Sequence, residues 1–174
     1  YTGALQAGNK CVEIAETIEG GNDLIISKGF ELLGHLHAIT GNVPLGLEYY
    51  YKGIALVEKH QDDLQNSYNL YGRLAIRLLY DKPDSAVYLA KYGFQLALKQ
   101  SPYSRSAFPY LTMWNVYSKI GKVDTALQYL RDGIEFSKNY KLIFYQAVMQ
   151  NAYANYLLNT GNKDSAAWYA YQAL

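Results

Sequence analysis

The feature that most constrains this chain is a spacing of forty residues between turn positions. Gly41, Asp81, Gly121 and Gly161 stand at equal intervals, and self-similarity at such a period marks stacked supersecondary units rather than one irregular core. Five residues beyond each turn stand Gly46, Ala86, Ala126 and Ala166, and seven beyond those Gly53, Gly93, Gly133 and Ala173. Small residues seven apart fall on one stripe of a helix, where they let a neighbouring backbone approach. Bulky apolar groups fill the rest of that face: Leu47, Val87, Leu127 and Ala167 follow the first small position, and Ile54, Phe94, Ile134 and Leu174 the second. The pattern is an amphipathic helix written four times.

The start of that helix is also marked. Asp84, Asp124 and Asp164 fall in its first turn, where a carboxylate meets the positive end of the helix dipole, and Pro44 and Pro83 occupy the same turn, where a missing N–H costs nothing. A second apolar-periodic stretch precedes each turn: Phe30-Leu33-Gly34-His37, Tyr71-Leu74-Ala75-Leu78, Tyr110-Met113-Trp114-Tyr117 and Gln150-Tyr153-Ala154-Leu157. Spacings of three, one and three fit a helical face. The second set requires a turn shorter by one residue.

These residues resemble the tetratricopeptide repeat, with its large-Leu-small-aromatic first helix, Gly turn and small-large-small second helix. His37, Trp114 and Gln150 depart from that pattern. The resemblance covers about residues 22 to 174, with repeats at about 22–60, 62–100, 102–139 and 140–174 and a partial repeat at 1–21, where Gly3, Gly8 and Ala15 suggest a preceding second helix. The predicted fold is all-α: a solenoid of about four helix-turn-helix units in one domain, wound as a right-handed superhelix and paired between sequence neighbours. Predicted helices cover 3–18, 22–39, 43–59, 63–80, 83–99, 106–120, 123–137, 140–159 and 163–174. Gly20-Gly21 stops the first, and Ser101-Pro102 with Pro109 delays the sixth. The chain opens at Tyr1 and closes at Leu174 within a predicted helix, so a segment of a longer protein is expected, with apolar surface uncovered on the last helix.

Charge and composition narrow the function. Sixteen Lys and Arg against fifteen Asp and Glu leave a net charge of +1, which provides no field to gather nucleic acid or an anionic membrane, and no apolar run is long enough for a membrane helix. The lone Cys11 offers neither disulfide nor redox pair and reads as a buried apolar spacer. His35 and His37, two apart on a helix, point to different faces, and with His60 they make no metal site. Glu16, Glu19 and Asp23, like Asp62 and Asp63, sit at helix ends where acids belong structurally. No phosphate-binding glycine motif is present. No catalytic residue, cofactor or metal is expected.

The resemblance places the binding surface on the first helices, whose projecting residues line a concave groove in such arrays. In this register they are Lys28, Glu31 and His35, then Asn69, Arg73 and Tyr80, then Asn115 and Ser118, and finally Asn151, Asn155 and Asn159. Asn side chains carry donor and acceptor together and satisfy a peptide backbone whatever its sequence. Arg73 is expected to reach a carboxylate. Nineteen tyrosines, among them Tyr49-Tyr50-Tyr51 and the set Tyr153, Tyr156, Tyr169 and Tyr171, read chiefly as packing, with the remainder free to line a groove and grip apolar side chains. The D-S-A and D-T-A helix openings, tyrosine richness and long units are similar to the repeat segments preceding bacterial sensor histidine kinases and response regulators. That implies a ligand-sensing, peptide- or protein-binding module, periplasmic in a membrane sensor and cytoplasmic otherwise. A non-switching scaffold and an intracellular receptor for a short signalling peptide are the alternatives, and the array ends offer a route to a homodimer.

Overall fold

The structure, a computed structural model, describes residues 1–17, 22–59, 67–99 and 106–173. Nine helices account for nearly all of the described residues, and no strand occurs among them: α1 (Thr2–Thr17), α2 (Asp23–Ile39), α3 (Val43–Lys59), α4 (Ser67–Leu78), α5 (Pro83–Lys99), α6 (Phe108–Lys119), α7 (Val123–Asn139), α8 (Ile143–Asn159) and α9 (Lys163–Gln172). His60, Asp62, Asp63, Glu19, Gly20, Gly21, Ser101, Pro102 and Leu174 lie outside the described residues.

The helices pair as hairpins, α2 with α3, α4 with α5, α6 with α7 and α8 with α9, and each hairpin packs on the next through its neighbours in sequence. The expectation that helices pair only with their sequence neighbours needs correction. α4 also touches α2 and packs on α6, because one helix lying across two hairpins buries both of its flanks.

The hairpin turns have a common chemistry. Gly41, Gly121 and Gly161 adopt φ of 97°, 80° and 86°. In each the next N–H closes a six-residue loop onto the helix end, from Asn42 to His37 O, Lys122 to Tyr117 O and Asn162 to Leu157 O, all 2.9 Å. A left-handed residue followed by such a bond is the Schellman ending, which satisfies carbonyls the helix leaves open. The α4–α5 turn is shorter, as its register required: Lys82 N–H reaches Leu78 O across four residues, at 2.8 Å, and Asp81 has no positive φ. Asn22, Asn42 and Asn162 cap the following helices through their side-chain oxygens.

The small positions do what close approach requires. Ala86 and Ala126 are fully buried, as are Gly46, Gly53, Gly93 and Gly133, while Ala173 at the end of α9 is half-buried. A Cβ on Gly46 would stand 2.8 Å from the Gly34 carbonyl oxygen, so α2 and α3 meet there backbone to backbone.

Three further expectations need correction. The α7–α8 boundary lies later than the sequence indicated: α7 runs to Asn139 and α8 begins at Ile143, because Lys141 takes the left-handed turn position at φ 56° that glycine holds elsewhere. Cys11 is exposed, one position off the Gly8, Val12 and Ala15 stripe that buries α1. The predicted α4, 63–80, ends at Leu78.

The departures from the first-helix pattern all sit in or against the core. The His37 ring stacks on Tyr49 at 5.5 Å and 8°, so its imidazole packs as a planar ring against α3. Trp114 is half-buried between the central and C-terminal core clusters. Gln150 is buried, with its Oε1 lacking a hydrogen-bond partner. On α9, Trp168 and Tyr171 are 57% and 73% exposed, which is the uncovered apolar surface the sequence led us to expect.

Candidate functional site

An open concavity lies over α4, between α3 and α5. Each helix presents a stripe at helical spacing: Tyr51, Ile54 and Glu58 from α3; Tyr71, Leu74 and Leu78 from α4; Ser85, Tyr88, Leu89 and Tyr92 from α5. The α4 residues are buried and form the floor, and the α3 and α5 residues form the walls. The cavity measures about 770 Å³, within the size range of a binding pocket. Tyr51 and Tyr88, on opposite walls, are 51% and 67% exposed.

The aromatic arrangement is fixed from the floor upward. The Tyr71 hydroxyl donates to Glu58 Oε1 at 3.0 Å, the Tyr71 ring meets Tyr92 edge to face at 4.8 Å, and Tyr92 lies parallel to Tyr88 at 6.3 Å. Burial, and then the Glu58 carboxylate, push the Tyr71 phenol well above its ordinary range. It therefore stays protonated and keeps donating. Glu58, Asp84 and Lys82 complete the lining, two carboxylates against one ammonium.

A second groove of about 680 Å³ lies on the other side of the α5 N-terminus. It shares Asp84 with the first and carries Lys91, Lys119 and Lys122. Lys119 Nζ sits 4.2 Å from the centre of the Tyr80 ring.

The residues expected to project from the first helices divide into separate groups. Glu31, His35 and Arg73 come together where α2 meets α4. Arg73 Nε binds Glu31 Oε1 at 2.7 Å in a half-buried pair, and its guanidinium lies over Phe108 of α6 at 5.3 Å. The carboxylate that Arg73 meets is thus within the chain. Burial, reinforced by Arg73 and Arg77, holds the His35 pKa below the usual imidazole value. Tyr50 of α3 is fully buried beside them. Burial raises its phenol, while nearby Arg73 and Arg77 act in the opposite sense. Its hydroxyl makes no hydrogen bond of good geometry.

Asn151 and Asn155 are exposed and share a shallow cavity of about 230 Å³ with Ala166, Ala167 and Ala170 of α9. Asn115 is half-buried on α6, where Ser118 donates to its backbone carbonyl at 3.2 Å. Lys28, Asn159 and Tyr80 are exposed, and Asn69 is half-buried.

Among the described residues no three His, Cys, Asp or Glu side chains gather as metal ligands, and no helix is long and apolar enough to cross a membrane. The tyrosine groove was not singled out in sequence. Its signal was present as the i, i+4 pair Tyr88 and Tyr92 and the i, i+7 pair Tyr51 and Glu58, but nothing local says that these stripes face one cavity. Comparison with protein-family models finds none that matches this chain, and no curated protein matches it in sequence.

Proposed function

We propose that this chain is a tetratricopeptide-like α-solenoid that binds a peptide segment of a partner protein, with the tyrosine groove over α4 as its principal contact surface. The observation that carries this reading is the groove itself. It joins a preorganised floor, exposed aromatic walls and a few polar groups in an open cleft, the combination that gives large contact area at small entropic cost. Consecutive hairpins, recurrent Gly turns and buried small positions support the repeat assignment. In a longer signalling protein of the sensor-kinase type, such a module would supply the binding event while catalysis belongs elsewhere.

An immobilised peptide library probed with the purified protein tests the proposal. Binding to a defined subset, lost in the Tyr51→Ala/Tyr88→Ala double variant and retained in Asn115→Ala/Asn155→Ala, is the expected result. Loss in the asparagine variant alone would move the contact surface to the first-helix face, and no selective binding would leave a scaffold that uses neither.

A further inference from the structure

We propose that the groove over α4 selects a cationic side chain, so that the peptide it takes carries an arginine or lysine at the seated position. The inference rests on the binding reading above and adds the chemistry of the ligand.

Three observations converge. The walls offer exposed Tyr51 and Tyr88 with Tyr92 behind, and the negative face of a phenol ring attracts a cation within about 6 Å of its centre. The charged groups in the lining are Glu58, Asp84 and Lys82; Asp84 also borders the neighbouring groove with Lys91, Lys119 and Lys122, so Glu58 is the carboxylate that lines this cavity alone. Finally, Glu58 is held in place by the protonated Tyr71 hydroxyl at 3.0 Å, so one of the two carboxylates is oriented before a ligand arrives. A preorganised carboxylate beside aromatic faces stabilises an ammonium or guanidinium more than it stabilises a neutral group of the same shape.

The dimensions agree. The stripe from Tyr51 to Glu58 advances about 10 Å along α3 at the helical rise, which accommodates about three residues of extended peptide. Half-buried Leu89 and the exposed faces of Tyr51 and Tyr88 accept the aliphatic stem of the cation, while its head lies among the rings and carboxylates. An acidic side chain at the same place would face Glu58 and Asp84 and is disfavoured.

The test titrates the isotopically labelled protein with four capped tripeptides, leucine–X–leucine with X arginine, lysine, glutamine or glutamate, following amide shifts of α3 and α5. Arginine and lysine peptides are expected to bind about three- to tenfold more tightly than glutamine, and glutamate most weakly. Glu58→Gln and Asp84→Asn should each narrow the preference without abolishing binding, since the glutamine amide oxygen still accepts from Tyr71. Tyr88→Ala should reduce both affinity and preference. Equal affinity for all four peptides, still lost in Tyr88→Ala, would overturn the cation inference and leave the groove as a peptide site. No perturbation of α3 and α5 by any peptide would overturn both.

Discussion

Replacing Gly46 by Ala is the sharpest probe of how α2 and α3 pack. The added Cβ would lie 2.8 Å from the Gly34 carbonyl oxygen and 3.0 Å from both the Ala38 Cβ and the Ala38 nitrogen, where ordinary contact begins at 3.4 Å. Two of these three neighbours are backbone atoms, and none can rotate away, so the helices must separate by about half an ångström along a face that is otherwise closed. Overpacking of this kind costs about 1–3 kcal/mol, and the rigid neighbours put Gly46 in the upper part of that range. Against it stands the better helix propensity of Ala, about 1 kcal/mol. The net expectation is a loss of about 1–2 kcal/mol, or a melting point about 2–8 °C lower for a chain of this length. Gly3→Ala in α1 provides the control, because nothing lies within 4 Å of its Cβ and the propensity gain of up to about 1 kcal/mol stands alone. Urea unfolding followed by helical circular dichroism measures both. A Gly46→Ala midpoint equal to or above that of the parent would refute the backbone-to-backbone contact.

Enlarging Ala126 or Gly133 to Leu is expected to lower stability by about 1–3 kcal/mol, since Ala126 is fully buried and a Cβ on Gly133 would meet the Met149 sulfur and lie 2.8 Å from the Tyr110 Cβ; thermal melts matching the parent would place the wrong face inward. A double-mutant cycle with Glu31→Ala and Arg73→Ala should give a coupling of about 1 kcal/mol, larger than for the exposed Glu48–Lys52 pair, whose side chains are 55% and 51% exposed against 16% and 28%. Because the His35 pKa is lowered in the fold, the unfolded chain binds its proton more readily. Stability should therefore fall as pH drops below about 6.5, level off below the folded value, and lose this component in His35→Gln, which urea midpoints across that range would report.

Much of the helix plan was legible because its punctuation is chemical. Gly41, Gly121 and Gly161 mark left-handed turn positions, and the Asn and Asp residues beyond them fit the caps and first turns that follow. Lys141 does the same turn's work without glycine's signature, which is why the start of α8 was read three residues early. Cys11 shows the limit of periodicity near a chain end, where one position, about 100° of helix, separates the buried stripe from solvent. The Glu31–Arg73 pair joins α2 to α4 across 42 residues, and no local spacing encodes it. The tyrosine groove is illegible for a related reason. Each of its three stripes looks like ordinary core, and the cavity exists because the exposed tyrosines of α3 and α5 stand on either side of the buried Tyr71, Leu74 and Leu78 of α4.

Hydrogen–deuterium exchange of the protein with and without a peptide selected from the library tests the assignment of the groove most directly. Protection concentrated in Tyr51–Glu58 of α3 and Ser85–Tyr92 of α5, and abolished in Tyr51→Ala/Tyr88→Ala, is the expected outcome. Protection confined to the exposed faces of α2, α6 and α8, with α3 and α5 unchanged, would contradict it.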